Sequence, residues 1–155
     1  MIQRIQSIYL LLAGLVIFAL FLFPLAHGVY INSIPSTIKI TGVYQDAGGH
    51  EASMQTFTAL IAGTAVVGIL PFILIFLYKN RKQQITMCYL YILVIIGFSY
   101  WMVQTIKSVT GGLTLNTSNF GIGALLSSIS IIFILLAVKS IRNDEKLIKS
   151  ADRLR

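Results

Sequence analysis

Four stretches without a single Asp, Glu, Lys, Arg or His, at about residues 8–26, 56–78, 85–106 and 120–138, occupy more than half of this 155-residue chain. The hydrocarbon layer of a bilayer is about 30 Å thick and an α-helix rises about 1.5 Å per residue, so about 20 apolar residues cross it with every backbone N–H and C=O bonded internally. Each stretch has that length, and none carries a central charge, which would cost roughly 2.5–3.5 kcal/mol on insertion. A water-soluble domain built from helices that are apolar all round would have too little polar surface to cover them. The sequence therefore predicts one all-α membrane domain over residues 1–155. It is a four-transmembrane-helix bundle with spans at about 6–26, 56–78, 85–106 and 120–141, external loops at 27–55 and 107–119, and a tail at 142–155. The first stretch is not read as a cleaved signal peptide, because its apolar core exceeds the usual 7–15 residues and Pro24-Leu25-Ala26-His27 is a poor cleavage site.

Charge orients the spans. If the N-terminus is cytoplasmic, that side holds Arg4, then Lys79, Arg81 and Lys82 between spans two and three, then Lys139, Arg142, Lys146, Lys149, Arg153 and Arg155 in the tail. These are all but two of the 12 basic residues; the others, Lys39 and Lys107, are offset by Asp46 and Glu51, so the net charge of +7 falls on one side. The positive-inside rule then predicts both termini in the cytoplasm. Cations placed beside span ends point to a membrane surface and away from nucleic acid. Tyr9 and Tyr78 fall at the expected inner headgroups and Tyr100 and Trp101 at the outer ones, whereas Tyr89 and Tyr91 are read as packing between helices.

Outside the membrane, Val29, Ile31, Ile38, Ile40 and Val43 alternate in part with Asn32, Thr37, Lys39 and Thr41, with breaks at Ile34-Pro35-Ser36 and Asp46-Ala47-Gly48-Gly49. This predicts a small β-hairpin, which alone is marginal in water and needs support from the second loop or a partner. In that loop Thr110-Gly111-Gly112 reads as a turn, Leu113 and Leu115 as contacts, and Asn116-Thr117-Ser118 as a chance match to a glycosylation acceptor.

Within the spans, small residues recur at helical spacing: Ala59 with Gly63, Thr64 with Gly68, Gly123 with Ser127 and Ala124 with Ser128. Such pairs let backbones approach closely, either inside one bundle or against another chain. Pro71 removes a backbone donor and should free the Val67 carbonyl, bending span two as a static kink or a hinge. No span offers an ionisable group of the kind that proton relays, coupled transporters and voltage sensors place in the membrane. Haem would need axial ligands facing into the bundle, but His27 and His50 are external and Met87 and Met102 read as gap fillers. Cys88 is a lone cysteine, so a dithiol cycle is not available to this chain by itself. No serine has a histidine or lysine partner at membrane depth. The expectation is a chain with no catalytic residue, no cofactor and no metal.

From Lys139 span four can continue as an amphipathic basic helix, with Ile141, Ile148, Ala151 and Leu154 on one side and Arg142, Asp144, Glu145, Lys146, Lys149 and Arg153 elsewhere. Anionic lipid attracts juxtamembrane cations, so Lys79, Arg81, Lys82, Lys139, Arg142, Lys146 and Lys149 are the expected membrane-surface residues. A partner protein's helix is the competing occupant of the apolar stripe.

The opening string Met1-Ile2-Gln3-Arg4-Ile5-Gln6-Ser7-Ile8-Tyr9-Leu10-Leu11-Leu12-Ala13 resembles the start of a family of small, uncharacterised four-span inner-membrane proteins of Bacteroidota, known only as a domain of unknown function. That resemblance implies a bacterial inner membrane and supplies no activity. The resulting expectation is a non-catalytic accessory or scaffold subunit of a larger envelope complex, such as a respiratory or export assembly. The alternatives are a homo-oligomeric carrier or channel for neutral or lipidic molecules and a small enzyme using a partner's cofactor.

Overall fold

A computed structural model describes residues 3–31, 34–46, 51–111 and 119–152. It contains four helices and one sheet: α1 (Gln3–Phe18), β1 (Ala26–Ile31), β2 (Ile34–Lys39), β3 (Gly42–Asp46), β4 (Glu51–Thr56), α2 (Thr58–Phe76), α3 (Arg81–Val109) and α4 (Ile122–Asp152). Short 3₁₀ turns extend α1 over Ala19–Phe21 and α2 over Leu77–Lys79. Three helices are long and apolar enough to cross a membrane, within Thr58–Phe76, Arg81–Val109 and Ile122–Leu147; the apolar part of the first, Ile5–Phe21, is shorter.

The helix ends depart from the apolar stretches for local reasons. The first helical run stops at Phe21, short of residue 26, because Pro24 disfavours continuation and Ala26 is taken into β1. Thr56 closes β4, so α2 begins at Thr58 and not at 56. Both α3 and α4 run beyond their apolar cores, and α4 carries the tail without interruption to Asp152.

Each helix turns one stripe inward. Leu10, Ala13, Ile17 and Leu20 are buried from the first helical run, and Leu60, Thr64, Val67 and Leu74 from α2. Cys88, Tyr91, Ile95, Phe98, Met102 and Ile106 are buried from α3, and Ser130, Ile134, Ala137 and Ile141 from α4. Their spacing of three or four residues is that of one helix face. The opposite faces are also apolar, with Val66, Leu93, Ile96, Leu125 and Ile132 exposed, as lipid contact requires.

Close approach comes from glycine. A Cβ on Gly14 would stand 2.8 Å from the Phe72 ring, and one on Gly68 would stand 2.9 Å from the Phe18 ring, so α1 and α2 each seat an aromatic on the other's glycine. The two rings lie 6.2 Å apart. Gly63 receives Trp101 and Phe98 of α3, whose rings meet edge to face at 6.2 Å.

The expected hairpin is a four-stranded antiparallel meander, β1-β2-β3-β4. The pairs Ala26–Ile38, Val29–Ser36, Ile38–Val43 and Ser36–Gln45 put all six of these buried residues on one face. Ile34-Pro35-Ser36, expected to break the chain, lies inside β2. Pro35 sits beyond the last β2–β3 pair, Ser36–Gln45, so its missing N–H falls outside that ladder. β4 arises in a segment read as loop, because pairing with β3 decides its conformation. At Gly42, the first residue of β3, a Cβ would run into the Gln55 carbonyl of β4, so the close β3–β4 pairing admits no side chain there.

The support comes from the segment that precedes α4. Ala26 forms a bridge with Phe120, Gly121 N–H donates to the Leu25 carbonyl at 2.9 Å, Gly123 N–H donates to the Pro24 carbonyl at 3.0 Å, and Asn119 Nδ2 donates to the Gly28 carbonyl at 3.0 Å. This clasp closes the sheet end of the bundle. The expected features at Ala47-Gly48-Gly49, His50, Leu113, Leu115 and Asn116-Thr117-Ser118 lie outside the described residues.

Candidate functional site

Two groups of polar side chains stand out against the apolar bundle: a buried layer at mid-depth and an exposed basic stripe at the end away from the sheet.

The buried layer begins with Pro71. Having no N–H, it leaves the Val67 carbonyl without its helical donor, and Tyr91 Oη of α3 donates to that carbonyl at 3.0 Å. On α4, Ser130 Oγ donates to the Ala13 carbonyl of α1 at 3.0 Å, and it neighbours the Tyr91 hydroxyl. The series Val67, Tyr91, Ser130, Ala13 thus touches all four helices. Thr64 Oγ1 donates to the Leu60 carbonyl at 2.7 Å within α2. These hydroxyl protons go to backbone oxygens, which holds the helices in register. Ser127 Oγ, one turn from Ser130, is buried without a partner among the described residues.

Further along, Gln84 is fully buried in the first turn of α3, where its Nε2 donates to the Leu74 carbonyl at 3.0 Å and its Oε1 has no partner among the described residues. Asp144 is a correction to the sequence reading. Expected among the polar side chains of the tail, it is 5% exposed, because it lies three residues after Ile141 on the same inward stripe.

The basic stripe comprises Lys139, Arg142 and Lys146, all exposed on α4. The Arg142 guanidinium lies over the Tyr89 ring of α3, 5.6 Å from its centre. Tyr89 itself is 40% exposed, which corrects its expected place between helices; Tyr91 is buried. Lys82 is exposed and Arg81 half-buried at the start of α3, at the same end of the bundle. Lys79 and Lys149 fall in described backbone, but their side chains lie outside the described residues.

Of the small residues singled out by spacing, Gly63 and Gly68 face α3 and α1 as described above, and a Cβ on Gly123 would meet the Pro24 carbonyl at 2.6 Å. Ser127 is buried, Ala124 is half-buried, and Ala59 and Ser128 face outward. Cys88 and Met102 are buried, whereas Met87 is 36% exposed. His27 is exposed on β1. Among the described residues no three His, Cys, Asp or Glu side chains gather into a metal-binding group.

The inverted exposures of Tyr89 and Tyr91, two residues apart on one helix, were beyond pattern reading. The readable signal was Pro71, which announces an orphan carbonyl but not which of the chain's seven tyrosines answers it.

The chain belongs to a family described as a domain of unknown function (DUF4293), whose model matches residues 2–154. No curated protein matches it.

Proposed function

We propose that this chain is a non-catalytic, four-span protein of a bacterial inner membrane that serves as an accessory or scaffold subunit of a larger envelope complex. The observation that carries the reading is the use made of three of the core hydroxyls: Tyr91, Ser130 and Thr64 each donate to a backbone carbonyl, and in two of the three cases the carbonyl belongs to another helix. Side chains committed in this way stabilise helix packing and are withheld from a substrate.

A fourth crossing is supported by length. Sixteen α-helical residues at about 1.5 Å and three 3₁₀ residues at about 2.0 Å reach about 30 Å, the thickness of the hydrocarbon layer. The cytoplasmic placement of both termini is supported by Arg81, Lys82, Lys139, Arg142 and Lys146, which share the end of the bundle opposite the sheet. On the sheet side a partner would meet β4, which pairs with β3 alone among the described residues and presents Met54 66% exposed.

The test is gentle detergent extraction followed by native mass analysis. The expected result is this chain in a fixed ratio with a second polypeptide. Recovery solely as its own oligomer would overturn the subunit reading in favour of a carrier or channel for neutral or lipidic molecules, and a co-purifying chromophore would point to an enzyme borrowing a partner's cofactor.

A further inference from the structure

On α4 the face turned to lipid changes character without changing direction. Ile132 and Leu135 are exposed along one stripe, and the same stripe continues as Lys139, Arg142 and Lys146. At about 100° per residue these three cations fall within an arc of about 60°, and at about 1.5 Å per residue they extend over about 10 Å of helix. From Ile122 to Arg142 the helix rises about 30 Å, so Arg142 stands one hydrocarbon thickness from the opposite end of the apolar segment.

Two further features make this more than a run of charge. Arg142 is held over the Tyr89 ring, which fixes the guanidinium against α3 in place of leaving it to sweep through solvent. The nearby acids lie off the exposed stripe: Asp144 is buried on the inward face, and Glu145 is half-buried.

We infer that the α3–α4 face binds one anionic phospholipid lengthwise, its acyl chains along Ile132 and Leu135 and its phosphate held by Lys139, Arg142 and Lys146. A basic stripe that continues an apolar helix face matches a lipid's paired chemistry, charge at the headgroup level and hydrocarbon below it. Because α4 is one uninterrupted helix, these cations are presented up the side of the bundle and not by a tail lying flat on the surface. The inference rests on the membrane reading of the helices and is independent of the subunit reading.

The test uses the full chain in detergent micelles, titrated with phosphatidylglycerol or phosphatidylcholine of matched acyl chains and read by native mass spectrometry. Phosphatidylglycerol should bind at least tenfold more tightly, and K139Q/R142Q/K146Q should bring it to the phosphatidylcholine level. Each of R142Q and K146Q alone should lose about fivefold, and these single variants read the same site if the triple variant does not extract as a folded chain. K107Q, at the other end of α3, should leave the preference unchanged, and excess inorganic phosphate should not displace the lipid. Equal binding of the two lipids, a preference that survives the triple variant, equal loss in K107Q, or displacement by phosphate would overturn the proposal. Since the isolated chain is used, either result leaves the search for a stoichiometric partner unaffected.

Discussion

The helix bundle and the external sheet solve opposite problems. In the sheet, burial follows the strand pleat: Ala26, Ile38 and Val43 are buried on one face while His27, Tyr30 and Ile34 look outward. In the bundle both faces of each helix are apolar, so hydrophobicity states where a helix resides and says little about its neighbours. What distinguishes the inner face there is steric and polar detail, namely glycines that accept rings and hydroxyls that reach carbonyls. The two regions also differ in what surrounds their critical glycines. Gly42 abuts a backbone carbonyl that is fixed in the β3–β4 ladder, whereas Gly68 abuts the far end of the Phe18 side chain, which can rotate.

That contrast is open to measurement by unfolding in detergent. Gly42→Ala should have the largest effect, about 3 kcal/mol, because the added methyl meets backbone and must part β4 from β3; amide exchange across β4 should rise with it. Equal costs for Gly42→Ala and Gly68→Ala would break the distinction between the regions.

Tyr91→Phe comes next, at about 1–2 kcal/mol, since it strands the Val67 carbonyl that Pro71 already deprives of a helical donor. Adding Pro71→Ala restores an N–H at that position, so the tyrosine change should then cost almost nothing. A double-mutant cycle with no coupling between positions 71 and 91 would remove the orphan carbonyl from the account. Gly68→Ala should cost about 1 kcal/mol as Phe18 gives way. Ser130→Ala should cost least, about 0.5 kcal/mol, because the Ala13 carbonyl lies inside α1 and keeps its own helical donor. A Ser130→Ala cost matching that of Tyr91→Phe would show that the hydroxyl layer acts as one unit.

The same division explains what could be read from the sequence. Uncharged runs of helical length locate the helices, and Pro71 identifies the carbonyl at risk, because both follow from local chemistry. The tyrosine that rescues it lies 24 residues away, and no local rule distinguishes Tyr91 from Tyr89. The alternation around Ile38 and Val43 reveals a hairpin, but β4, with Glu51, Ala52, Met54 and Gln55, has little strand character of its own and takes its shape from β3. Asp144 reads as a solvated tail residue until the helix phase, continued unbroken from Ile134 and Ile141, carries it inward. The basic residues were legible as a group facing one side. Their arrangement as a single stripe continuous with the exposed Ile132 and Leu135 required the helix to pass through Lys139 without a break.

The clasp between β1 and the segment that precedes α4 joins positions 91 residues apart, Gly28 and Asn119. During synthesis at about 5–20 residues per second, β1 has emerged roughly 5–20 s before the strap that will cover its edge exists. The young sheet therefore waits with that border bare, and the arrival of the last helix finishes the sheet as well as the bundle.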